Sequence, residues 1–179
     1  MIPRLLGLSL VAALALTGCA STTETPAPTP SSTASSAPIL NPDLTPLTPE
    51  VLTAETASAE SVRLLDALQA LIDPTTVVSS SDENLTVPAE DDVAAYHAVT
   101  RTIMLTDTVD ALTLAETLSA VLEQSGWVSY DSATQDSIYV STLVGGTNEV
   151  PWFIVVSGDA SIAGQSRIAI QLASPDLAA

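Results

Sequence analysis

The sequence predicts an α+β fold: two helices packed on one face of a mainly antiparallel sheet of about five to six strands, in the order α-β-β-α-β-β-β-β. Three observations lead there. Two stretches, one opening near residue 48 and one near residue 113, carry apolar residues at helical spacing. Several short stretches are rich in β-branched residues and read as strands. The last four of these follow one another through short connections, which suits an antiparallel meander, because parallel strands need long crossovers. Two helices are enough to cover one face of such a sheet. No segment repeats at a fixed period.

In chain order, Thr48-Pro49-Glu50 opens the first helix, with Thr48 as N-cap and Pro49 at the first helical position. Leu52, Ala59, Val62, Leu65, Leu68 and Ile72 form its apolar stripe, and Asp73-Pro74 stops it. Thr75 to Ser79 is β-branched and reads as a strand, followed by a polar loop from Ser80 to Asp92. Ala95 to Leu105 alternates, with Val99, Ile103 and Leu105 on one side. Thr113 and Glu116 have capping-box spacing for the second helix, whose face carries Leu114, Leu118, Val121 and Leu122. Gly126 fits its C′ position, which needs positive φ. Strands then follow at Trp127–Tyr130, Ile138–Val144, Pro151–Val156 and Arg167–Ala173, with Gly145-Gly146 expected to turn the chain.

Ahead of this domain, residues 1–18 have the layout of a secretory signal. Arg4 supplies the positive end, and Leu5 to Leu16 form an apolar run well short of the about 20 residues a bilayer span needs. Leu16-Thr17-Gly18-Cys19 follows and contains the single cysteine of the chain. This tetrad resembles the lipobox of bacterial lipoproteins. The resemblance implies that the Cys19 sulfur receives a diacylglyceryl group and that cleavage falls between Gly18 and Cys19. It implies a lipid-anchored protein on the extracytoplasmic face of the cell membrane. Residues 19–47 then read as a tether rich in Pro, Thr and Ser, too poor in apolar surface to offset its ordering entropy. Residues 48–179 read as a single α+β domain. The Pro/Thr/Ser stalk, the T-P-E opening at Thr48, the Gly126-Trp127 helix exit and the closing strand pair are similar to small envelope lipoproteins of high-GC Gram-positive bacteria, a source the lysine-free, Ala/Thr-rich composition also suits, and the resemblance implies no activity.

Composition narrows the function. The chain carries 21 acidic residues against 4 arginines, a formal charge of −17. Such a surface repels phosphate backbones, so no nucleic-acid partner is expected. With one cysteine there is no intramolecular disulfide and no zinc site of the cysteine type. No nucleophile elbow, H-E-x-x-H, P-loop or dinucleotide-binding glycine motif is present. No catalytic residues, metal ligands or cofactors are therefore assigned. His97, the lone histidine, is expected at a surface or strand edge. The acids Asp82-Glu83, Glu90-Asp91-Asp92, Asp131 and Asp136 lack the spacing of a calcium loop and read as solvated. Trp127 and Trp152 are weighed as a recognition patch against the alternative that both pack into the core.

These readings converge on a membrane-tethered binding or interaction module with an envelope protein or small ligand as partner. The alternatives are an envelope hydrolase and a structural or regulatory accessory of a membrane complex. An exposed apolar sheet face favours binding. A pocket holding His97 beside a carboxylate and a hydroxyl favours the enzyme.

Overall fold

The computed structural model describes residues 41–47, 49, 51–88 and 94–178. The expected signal, Cys19, the expected tether as far as residue 40, Thr48, Glu50 and the acidic run at 90–92 lie outside the described residues.

The elements are α1 (Ala54–Gln69), β1 (Val77–Val87), β2 (Tyr96–Leu105), α2 (Ala111–Gln124), β3 (Val128–Gln135), β4 (Ile138–Thr147), β5 (Val150–Asp159) and β6 (Ser166–Ala173). Short 3-10 turns lie at Pro42–Leu44 and Pro74–Thr76. All six strands form one antiparallel sheet in the order β1-β2-β6-β5-β4-β3. The α+β class, the element order and the closing meander are those the sequence predicts. No described helix is long and apolar enough to cross a membrane.

The period-2 alternation of strand side chains sends one set to a core face. Val99, Ile103 and Leu105 of β2, Ile168, Ile170 and Leu172 of β6, Trp152, Ile154 and Val156 of β5, and Leu143 of β4 are buried there. From the helices, Ala57, Leu64, Leu65 and Leu68 of α1 and Ala111, Ala115, Leu118 and Leu122 of α2 belong to the same core. Helix α1 lies over β2 and β6, and α2 over β4, β5 and β6.

Several boundaries differ from those expected. Helix α1 begins at Ala54, because Thr53 is the N-cap: its hydroxyl accepts from the Thr56 amide, and the Thr56 hydroxyl accepts in return from the Thr53 amide. Leu52 is buried ahead of the helix rather than within it. Ala59 and Val62 face solvent, and the buried stripe instead includes Glu60 and Ser61. The reason is a polar clamp. Glu60 Oε1 accepts from the Leu47 amide at 2.7 Å, and its carboxylate takes two hydrogen bonds from Arg63. Arg63 also donates to the carbonyls of Asp43 and Thr45, at 2.7 and 2.9 Å. That clamp fastens residues 41–47 to α1. Leu44 is fully buried, and its carbonyl accepts from the Trp127 indole at 2.8 Å. The folded unit therefore includes Asn41–Leu47, ahead of the expected start at residue 48.

Helix α2 is capped by Asp110, which accepts from the amides of Leu112 and Thr113, so the Thr113–Glu116 capping box is not used. Gly126 does take the positive φ (97°) of a C′ residue. Strand β1 continues to Val87 through the polar stretch expected as a loop. It is an edge strand, exposed on both faces over most of its length, so no hydrophobic alternation marks it. Gly145-Gly146 lies within β4 rather than at a turn. A Cβ on Gly145 would come within 2.6 Å of the Trp127 ring, so a glycine lets the indole lie flat on the strand.

Candidate functional site

The face of the sheet turned away from the helices has no covering layer among the described residues. The register defines what it displays. One row crosses all six strands as Leu85, Ala98, Ala173, Phe153, Val144 and Val128. The next row reads Glu83, Thr100, Gln171, Val155, Thr142 and Asp131, with its only charges on the two edge strands. A third row reads Ser81, Thr102, Ala169, Ser157, Val140 and Ala133. At the far end, Arg167 and Asp159 sit opposite each other and form an ion pair. Leu85, Val128 and Phe153 are exposed, Phe153 at 46%. A chain of charge −17 thus holds an uncharged centre of Thr, Ala, Val, Ser and Gln on this face.

At one end of the face the apolar row deepens into a cleft of about 380 Å³. Tyr96, Pro151, Phe153, Ala173 and Pro175 supply its apolar lining, and Glu149 and Asp176 its charged groups. The Ser174 hydroxyl in the floor is already engaged, accepting from the His97 amide at 2.9 Å and donating to the Pro175 carbonyl at 2.8 Å.

A larger depression, about 790 Å³, opens between α1 and β1 around Arg101. Its guanidinium is bidentate to Asp82, both bonds at 2.7 Å, and donates to Asp66 at 2.7 Å and Gln69 at 3.2 Å. Hydrogen bonding from Arg101 holds the Asp82 carboxyl below its ordinary range, and Asp82 first, then Asp66, raises the Arg101 pKa. Four of the five N–H donors of this buried cation are taken and its charge is met by two carboxylates, so the group ties β1 and β2 to α1 rather than offering a cation to an anionic ligand. With Arg63 on Glu60 and Arg167 on Asp159, all three arginines of the described residues are neutralised internally.

The residues singled out from sequence fall differently. Trp127 and Trp152 are buried, at 3% and 0% exposure, so they form no recognition patch. Both face the helices, where their large apolar area is removed from water. Cys19 lies outside the described residues. His97 is neither at a surface nor on an edge strand: it is 4% exposed on interior strand β2, facing the core. Neither ring nitrogen has a hydrogen-bond partner among the described residues, and the imidazole lines neither the cleft nor the Arg101 depression. It meets no carboxylate–hydroxyl pair of the kind that would activate it as a base. No group of three or more His, Cys, Asp or Glu capable of holding a metal occurs among the described residues.

Burial holds the His97 imidazole below its ordinary value of 6.5. The unfolded chain takes up this proton first as pH falls. Stability is therefore expected to decline as pH drops through about 6.5 and to level off once the folded form is protonated too. Asp82 acts in a separate window, since its contribution is lost only below its ordinary value of 3.8. Urea melts at steps from pH 7.5 to 5 should show the decline in wild type and a flatter profile in His97→Phe. Equal slopes in the two proteins would remove His97 as its cause.

Tyr96, Phe153, Glu149 and Asp176 were not singled out from the sequence. The available signal is the run PWFIVV, residues 151–156. A strand with one solvated face should alternate. This one is apolar at Phe153 and Val155 as well as at the inward Trp152, Ile154 and Val156, which marks its outward face as unusual. No family model matches the chain, and no curated protein is similar to it in sequence.

Proposed function

We propose that the protein is a lipid-anchored binding module of the extracytoplasmic membrane surface, and that the open face of the sheet is its docking surface. The observation that carries the reading is the sheet face left bare by both helices among the described residues, whose centre is uncharged and partly apolar in a strongly acidic chain. Lipid at Cys19 is the expectation set by Leu16-Thr17-Gly18-Cys19. Two acyl chains hold a protein firmly at a bilayer where one is marginal. An acidic domain receives no electrostatic help from anionic headgroups, so the lipid is the whole attachment. The strands are already fixed by backbone pairing, so a ligand on this face has little backbone to order.

The test uses the full chain in its native membrane. A photo-crosslinking side chain at Thr100 or Val155 samples the open face, and one at Glu116 or Glu123 samples the exposed side of α2. A discrete adduct is expected from the open-face positions and none from α2. Cys19→Ala is expected to leave the protein without added lipid mass, in the aqueous phase on detergent partitioning, and with the adduct lost or strongly reduced. Equal labelling from both faces, or a wild type without lipid on Cys19, would reject the respective half of the proposal.

A further inference from the structure

We propose that the cleft beside Tyr96 and Phe153 binds a small organic cation: an aromatic or aliphatic body carrying one ammonium or guanidinium group. The inference rests on the reading of the open face as a binding surface and assigns the ligand class for its deepest part. At about 380 Å³ the cleft lies in the range of small-molecule sites. Its walls are the rings of Tyr96 and Phe153 and the apolar groups of Pro151, Ala173 and Pro175, which suit an apolar body. The floor hydroxyl of Ser174 is satisfied within the protein and asks for no polar partner.

Charge decides the rest. Glu149 and Asp176 line the cleft, and among the described residues no cationic side chain does. The three arginines that would otherwise compete for these carboxylates are each held by another acid: Arg63 by Glu60, Arg101 by Asp82 and Asp66, Arg167 by Asp159. The carboxylates that line the cleft attract an ammonium group, and aromatic rings attract a cation placed over their faces. A carboxylate ligand meets two like charges instead. The field of a chain with charge −17 raises the local concentration of small cations and depletes anions.

The occupant is a free small molecule rather than an extended peptide. The cleft sits at the ends of β2, β6 and β5, all interior strands. Their backbone groups are used in the sheet ladder, so a peptide cannot dock there by adding a strand.

The experiment titrates the full chain in detergent with three probes of one shape: phenethylammonium, 2-phenylethanol and phenylacetate. The readout is chemical-shift change at Tyr96, Phe153 and Ala173, at low and high salt. The cation is expected to bind at least about fivefold more tightly than the alcohol and the anion more weakly still, with the cation's advantage shrinking in salt. Glu149→Gln with Asp176→Asn is expected to bring the cation down to the alcohol's affinity. Phe153→Ala, at an exposed position, should weaken cation and alcohol together. Equal affinities for the three probes, shifts confined to other surfaces, or no shift at millimolar probe would overturn the assignment. A discrete open-face crosslink in membranes without cation preference rejects the cleft's ligand class and leaves the docking surface standing. Cation binding without any open-face adduct does the reverse.

Discussion

Gly158→Ala is expected to destabilise the protein by about 3 kcal/mol, and Gly158→Val by more, because an added side chain there overpacks a closed interface. Gly158 lies on β5, on the core face, directly under the first turn of α2. A Cβ at this position would sit 2.1 Å from the Ala111 carbonyl oxygen, 2.6 Å from its carbonyl carbon and 3.0 Å from the Ala115 Cβ. The obstacle is backbone, so no rotamer change relieves it. The helix must lift from the sheet, opening a gap along Ala111, Ala115 and Leu118. Gly158 has no positive φ, so the cost is steric and not conformational. Gly164 is the control. It has φ +75° and nothing within 4 Å of an added Cβ, so Gly164→Ala should cost only about 1 kcal/mol, from the backbone alone. Urea unfolding should show a large fall in midpoint for Gly158→Ala with an unchanged slope. Near-wild-type stability would mean that α2 does not seat on β5 as described.

Truncation to residue 48 is expected to cost at least as much. Leu44 is fully buried, and Leu44→Ala alone should cost about 3 kcal/mol through lost transfer energy and the cavity left behind. Removing Asn41–Leu47 adds further losses. Glu60, 7% exposed, loses the Leu47 amide, and Arg63 loses the carbonyls of Asp43 and Thr45. The Trp127 indole N–H, buried, loses the Leu44 carbonyl. Each hydrogen bond so lost contributes about 0.5–1.5 kcal/mol. A chain starting at Asn41 should melt like the full protein, and one starting at Thr48 should melt far lower or fail to fold. Equal melting temperatures for the two would show that the 41–47 segment contributes nothing.

The sequence misjudged that boundary for a physical reason. Asn41–Leu47 (NPDLTPL) has the composition of residues 20–40 before it, and only Leu44 and Pro46 in it are buried. What secures it is a salt bridge three residues apart on α1, Glu60–Arg63, which looks like ordinary surface helix chemistry until its partners are seen. Polar residues on a core-facing stripe hid the rotation of α1 in the same way. Strand β1 escaped because an edge strand exposed on both faces needs no pattern. It is held by backbone pairing with β2 and by the bidentate bond from Arg101 to Asp82. The candidate site was legible only in outline. The apolar run at residues 151–156 was visible, but which of its side chains faced solvent was not. Trp152 and Phe153 are neighbours in sequence, and register alone sends one into the core and the other onto the open face.

By itself, then, the sequence determined the α+β class, the element order, the antiparallel closing meander and the positive-φ exit of α2 at Gly126. These follow from periodicity and turn chemistry, which are local. Only the tertiary structure decided that both tryptophans and His97 turn inward, that each described arginine is spent on an internal carboxylate, and that the open face gathers an uncharged centre and an acid-lined cleft. Each of these depends on which residues meet across strands and on which side the helices settle. Such pairings join positions tens of residues apart, and one residue of register exchanges the two faces of every strand.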